Sequence, residues 1–269
     1  MINAIIEFSF MQNAVIAGLI ASLICGVIGV IIVEKKLLIM SGGIAHTAYG
    51  GIGLGYLLGF EPIIGAGIFS ISAAVIIGAV RRRNSAHTDI IISLLWSLGM
   101  ALGIAFTGLM PGYPPDMNSY LFGNILTVTK NEIGSMLPLA LIVLFAIISL
   151  YNDWKAYLFD STFSSVMGLK TAFLEYLLLV LTALSIVALI RVVGIILVIA
   201  LLTAPAACAS LFSKNLKNRM IISVILSMMF VFTGLTISYY LGIASGSSIV
   251  FVAAVVYFSL LLIKRIKTR

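Results

Sequence analysis

Nine long apolar runs follow one another through almost the whole chain. They lie at residues 11–33, 37–58, 62–80, 90–109, 134–151, 172–190, 193–212, 220–241 and 248–263. A helix crossing the hydrocarbon core of a bilayer needs about 20 such residues. At that depth backbone polar groups must be satisfied within the segment, which favours helices. Composition agrees: 62% of the 269 residues are hydrophobic and 9% are charged, where a soluble domain carries about 25% charged residues. The mean hydropathy is +1.22. A soluble enzyme, a nucleic-acid-binding domain and a disordered chain are thereby excluded. The expected fold is all-α, a polytopic membrane bundle of eight or nine transmembrane helices forming one domain over 1–269.

The net charge of +7 reads as topology. With the N-terminus outside, the cytoplasmic segments are 34–36, 81–89, 152–171, 213–219 and the tail from Lys264, which includes Lys267 and Arg269. Of the 16 lysines and arginines, only Lys130 and Arg191 fall elsewhere. That is the positive-inside pattern, with a cytoplasmic C-terminus and no nucleic-acid partner. No basic residue precedes Lys35, so the first run reads as a retained helix rather than a cleaved signal. Cys25 and Cys208 lie in apolar stretches and read as small core residues. Two segments depart from the regular pattern. Residues 111–130 read as an outer loop with a short helix or re-entrant piece. Residues 191–194 form a very tight link, so one neighbouring run reads as a full span or a half-helix.

Polar chemistry enters the membrane chiefly at His46, in the second run, LLIMSGGIAHTAYGGIGLGYLLG. It is the only His, Asp, Glu, Lys or Arg well inside a span, and such a residue is costly and usually functional. The alternative is a neutral imidazole bonded to a neighbouring helix. Gly42, His46, Tyr49 and Gly50 share one helical face at spacings of three and four. The glycines let neighbouring backbones approach closely. Imidazole is a common ligand for zinc and other first-row metals, yet one histidine is not a site. Met40, Cys25, Cys208 and carbonyls of unwound turns are further candidate donors. Asp89 reads as an acidic N-cap of the fourth span or as a path residue. Asp116 reads as an outer-face acid. Pro205 kinks or breaks the seventh span. The segment NDWKAYLFDSTFSSVMGLK carries a short amphipathic helix capped by Asp160 and Gly168, able to lie on lipid or dock on a soluble partner.

Four stretches, in order, resemble one family. MSGGIAHTAYGGIGLGYLLG is similar to "GDAISHA…PGIALGY". YLFGNILTV at 120–128 is similar to "LFGNILAVS". LFDSTFSSVMG at 158–168 is similar to "FDPEYARAQG". VVGIILVIALLTAPAACA at 192–209 is similar to "VGILLVVALLILPAATA". ASGSSIVFV at 244–252 also looks like "PSGATIVLV". The chain thus resembles the membrane permeases of zinc/manganese/iron-type ABC importers over nearly its whole length.

The resemblance implies a dimer of permeases in the plasma membrane of a prokaryote. Two cytoplasmic ATPase subunits would bind ATP, and an extracytoplasmic metal-binding protein would deliver zinc, manganese or iron. No GxxxxGK[ST] phosphate loop occurs here, in keeping with ATP held by the partner. The resemblance makes 158–168 a coupling helix, with Phe159, Asp160, Phe163 and Gly168. It makes His46 the histidine of the metal path. The residues themselves set Gly42, Tyr49, Gly50 and Asp89 along that path, and make Pro205 a packing kink with gating as the lesser reading. The chain departs from the family pattern at Gly42, where many members carry an aspartate one turn before the histidine. A carboxylate favours a hard cation such as manganese, so its loss weakens a manganese assignment. Ser161, Ser164 and Ala244 stand for a proline, an alanine and a proline. Competing readings are a permease for a metal chelate such as a siderophore or cobalamin, an ion-driven secondary transporter, and an intramembrane enzyme. The last would need several polar groups at depth.

Overall fold

In the computed structural model, residues 7–83, 87–112 and 116–267 are described, and all their regular structure is helical. Arg269 and part of the 81–89 and 111–130 segments lie outside the described residues. The order is α1 (Ser9–Glu34), α2 (Leu38–Leu58), α3 (Pro62–Arg83), α4 (Thr88–Gly108), α5 (Asn118–Phe122), a 3-10 turn (Ile125–Thr127), α6 (Lys130–Ser149), α7 (Tyr151–Phe159), α8 (Ser161–Val166), α9 (Thr171–Val193), α10 (Ile195–Phe212), α11 (Leu216–Leu241) and α12 (Ser245–Lys267).

Eight of these helices are long and apolar enough to cross a membrane. The ninth apolar run, α2, is a continuous 21-residue helix. Its glycines, serine, threonine and histidine dilute its hydropathy. It tolerates them because nearly all residues from Met40 to Gly55 are buried by protein, and a helix shielded from lipid need not be apolar all round. The tight link contains no half-helix. A single residue, Gly194, joins α9 to α10 with φ +78, a conformation glycine adopts without steric cost. α10 also runs unbroken through Pro205. The described part of the 111–130 segment holds α5 and the 3-10 turn, whose start is capped by the Asn124 side chain accepting from the Leu126 amide.

Contacts divide the chain into two compact units that alternate along the sequence. The first comprises Met1–Glu34, Asn118–Phe145 and Leu189–Arg269, and the second Lys35–Met117 and Ala146–Ala188. In the first, α1 packs on α10 and α11, and α12 closes on both of the latter. In its seams Gly18 faces the Val231 side chain, while Gly26 and Gly234 meet both side chain and backbone of Val224 and Ile249.

The second unit is built around α2, which packs along α3 and α4. Here glycine meets glycine. A Cβ at Gly50 would lie 2.9 Å from the Gly99 carbonyl oxygen, and one at Gly53 2.6 Å from that of Gly103. Gly51 faces Gly65 of α3 just as closely. Small residues on both helices let backbones touch, giving dispersion contacts that larger side chains would prevent.

Candidate functional site

The second unit carries two polar assemblies. The first is around His46. Its ring, half-buried, stacks on the Trp96 indole of α4, with centroids 4.0 Å apart and planes inclined by 15°. Its Nδ1 lies 3.3 Å from the Met100 Sδ. Trp96 and Met100 are four apart on α4, so they share a face. Gly42, one turn before His46, sits under the same indole: a Cβ there would stand 2.7 Å from Trp96 Cζ3. The indole thus fills the space where a side chain at position 42 would project.

The other residues of that α2 face have different surroundings. Tyr49 is 4% exposed and covers Gly103, while Gly50 lies against Gly99 and Phe69. Both belong to the α2–α4 and α2–α3 packing. Asp89 is exposed in the first turn of α4 rather than at its N-cap, which is His87. A carboxylate there still favours the helix dipole. Seven residues separate it from Trp96, about 10 Å along the axis. Cys25 and Cys208 are buried, free thiols of the first unit. Among the described residues no group of three His, Cys, Asp or Glu side chains could hold a metal ion.

The second assembly gathers at the ends of α3, α7 and α9. Glu175, nearly buried in α9, pairs with Arg81 at 3.0 Å and Arg82 at 3.5 Å from α3. Lys35, in the link that leads into α2, places its Nζ 3.7 Å from the ring centroid of Tyr157 in α7. Burial, then the Glu175 charge, pushes the Tyr157 phenol up to about 12, so the ring facing the lysine stays neutral. Burial and then Arg81 push Lys35 down, against the opposing pull of Glu175 and Asp160. Trp154 is fully buried one turn before Tyr157 and anchors α7.

This anchor presents α8. Asp160 caps it, accepting from the amides of Thr162 at 2.8 Å and Phe163 at 3.0 Å. Gly168, with φ +88, turns the chain away at the other end, and the Leu169 amide donates to the Ser164 carbonyl at 2.9 Å. Asp160 is the N-cap expected from the sequence; the C-cap is Met167, one residue before the expected Gly168, which supplies the left-handed turn after it. Phe159 is 93% and Val166 81% exposed, with Phe163 and Met167 also outward. The apolar patch stands on short, well-capped helices whose buried side is fixed by Trp154 and Tyr157.

Trp96, Met100, Lys35, Tyr157 and Glu175 were not singled out from the sequence. Trp96 and Met100 did carry an i, i+4 signal, but the register of α4 on α2 is a tertiary fact.

The profile of the ABC 3 transport family matches residues 7–264. Across 97% of this chain and 92% of the relative, the sequence is 40% identical to an uncharacterized membrane protein of Synechocystis sp.. It is 31% identical to the manganese transport system membrane protein MntC of Listeria monocytogenes, covering 96% of this chain and 91% of that one. Its structure is similar to that of PsaBC from Streptococcus pneumoniae, solved in complex with a Fab. That match has a TM-score of 0.86 and 32% identity, and covers 96% of this chain and 93% of the other. The chain belongs to the ABC 3 transport family, as a multi-pass membrane permease of the metal-transporting ABC type. It is a transport subunit rather than an enzyme, and the ATPase is a separate partner.

Proposed function

We propose that this chain imports a divalent metal ion of the zinc, manganese and iron class into the cytoplasm by alternating access. It works as one transmembrane domain across the plasma membrane, with the N-terminus outside and the C-terminus in the cytoplasm. The observation that carries the reading is His46, half-buried at mid-helix on a seam of glycines. A polar ring at that depth, reachable rather than sealed in the core, suits transient handling of a cargo ion. Having so few strong donors around it suits release, because a closed coordination shell would retain the ion.

Two copies of the permease enclose the path, with Gly42, Tyr49, Gly50 and Asp89 along it and Pro205 near a gate. An extracytoplasmic binding protein delivers the ion. The exposed α8 patch, with Phe159, Asp160, Phe163 and Gly168, docks on the ATPase as the coupling helix. Burial of such apolar side chains on a partner is what makes a surface of this kind useful. ATP-driven closure of the ATPases then pulls on α7. The Lys35–Tyr157 contact reaches the link into α2, and the Glu175 cluster joins the ends of α3 and α9. This pathway is a set of rigid contacts between the docking face and the helix that carries His46. The manganese relatives fit the metal reading, whereas Gly42 departs from an aspartate-bearing path.

The test is metal uptake by vesicles holding the permease with its ATPase and binding protein, comparing zinc, manganese and iron(II) with and without ATP. ATP-dependent uptake of one ion is expected, and His46→Ala abolishes most of it while the complex still assembles. Full uptake by an assembled His46→Ala complex would sink the role of His46. ATP hydrolysis without uptake of any free ion would favour a chelated substrate.

A further inference from the structure

The surroundings of His46 say more than that an imidazole lines the path. Position 42, one turn earlier, is where a carboxylate would complete an acid–histidine pair. In this chain the position is glycine, and the Trp96 ring occupies the adjoining space. An aspartate at 42 would have its Cβ within 2.7 Å of Cζ3 of that ring, so an acid there and this indole position exclude one another. The Nδ1 atom of His46 is instead met by sulfur, the Met100 Sδ at 3.3 Å. The same indole lies flat on the imidazole. All three side chains are only partly buried and lie at the surface of the unit rather than inside the glycine seam.

These facts define a donor class. A nitrogen beside a thioether suits borderline and soft cations, while manganese prefers oxygen donors. An aromatic face close by stabilises positive charge without supplying a lone pair. Among the described residues no group of three or more His, Cys, Asp or Glu side chains could hold a metal ion. Resting on the metal-import reading above, we propose that Met100 is a second protein donor, acting with His46. Trp96 holds the place of the carboxylate, and together they select zinc-like ions against manganese. The alternative for Met100 is sulfur–aromatic packing alone.

The experiment uses the full complex in vesicles and follows zinc uptake in competition with cadmium or manganese. Met100→Leu conserves volume, so the α2–α4 seam should persist. Losing a donor is expected to weaken zinc uptake and cadmium competition about tenfold, on the scale of changes around a metal ligand, with manganese competition unchanged. The paired substitution Gly42→Asp with Trp96→Ala restores an acid–histidine pair and is expected to raise manganese uptake relative to zinc. Calorimetric binding of cadmium to the detergent-purified complex gives a readout independent of turnover, and Met100→Leu should weaken it. Unchanged zinc uptake and cadmium binding in Met100→Leu would overturn the donor role while leaving metal import standing. Manganese outcompeting zinc in the unmodified complex would overturn the selectivity. If the unmodified complex hydrolyses ATP yet takes up no free ion, the import reading itself fails and this inference with it.

Discussion

The two compact units solve the same packing problem differently. In the first, the glycines meet a mixture, as Gly18 receives the Val231 side chain while Gly26 and Gly29 approach the backbones of Val224 and Leu202. In the second, Gly50, Gly51 and Gly53 of α2 meet Gly99 and Gly103 of α4 and Gly65 of α3. Interlocked side chains fix register. Smooth glycine surfaces bring backbones together with nothing interlocked between them, so small displacements cost fewer clashes. The His46 helix combines both kinds: Gly42 and Gly43 receive the Trp96 and Ile92 side chains, and Gly50, Gly51 and Gly53 beyond them form the smooth stretch. The charges divide the same way. Glu175 of the second unit is 11% exposed between two arginines, whereas the ion pairs of the first unit, Glu132–Arg191 and Glu34–Arg219, are more open.

The largest expected effect is at Glu175. Glu175→Gln leaves Arg81 and Arg82 without their paired carboxylate, close to Lys35, which keeps the attraction of Asp160. Removing one partner of a buried ion pair is strongly destabilising; Arg81 and Arg82 are 28% and 41% exposed, so screening by water brings the expected cost to about 1–3 kcal/mol. The thermal midpoint of the detergent-solubilised complex should fall clearly, and ATP hydrolysis should proceed with reduced uptake per ATP. An unchanged midpoint and an unchanged uptake-to-ATP ratio would show the cluster to be neither structural nor coupling.

The seams give the next contrast. Gly53→Ala drives a methyl toward the Gly103 backbone, which cannot rotate away. Overpacking of that kind costs about 1–3 kcal/mol. Gly18→Ala meets mainly the Val231 Cγ1, the end of a side chain, and should cost less. Thermal midpoints of the two variants measure the difference. Equal losses would mean that the two seams are equally tolerant, and the argument for a smooth surface beside His46 would go.

The sequence made the helices legible because each apolar run is long, and the caps of α8 legible because Asp160 and Gly168 lie at fixed offsets from it. His46 stood out because an imidazole is rare at membrane depth. What surrounds it did not. Trp96 and Met100 look like two more apolar residues of a span, and only the register of α4 on α2 turns them toward the imidazole. Glu175 was hidden likewise: a carboxylate near a helix start reads as a solvated end until Arg81 and Arg82 are seen to close on it. The half-helix alternative at residues 191–194 failed because a one-residue link is enough when that residue is Gly194 in a conformation other residues rarely adopt.

The smallest effect is expected at Glu34, and its smallness sharpens the contrast with Glu175. Glu34 pairs with Arg219 in the first unit, but its side chain is 38% exposed. Water therefore screens much of the attraction, and such pairs contribute about 1 kcal/mol or less. Arg219 also keeps a second partner, because its Nε donates to the Ser213 carbonyl at 2.7 Å. Glu34→Gln thus leaves Arg219 with one partner, where Glu175→Gln takes the paired carboxylate from both Arg81 and Arg82. The thermal midpoint should barely move, and the small loss should shrink further as salt is raised. A loss as large as that of Glu175→Gln would mean that ionic anchoring is shared by both units. The second unit's cluster would then be a general fastening of helix ends rather than the proposed connection between α8 and the His46 helix.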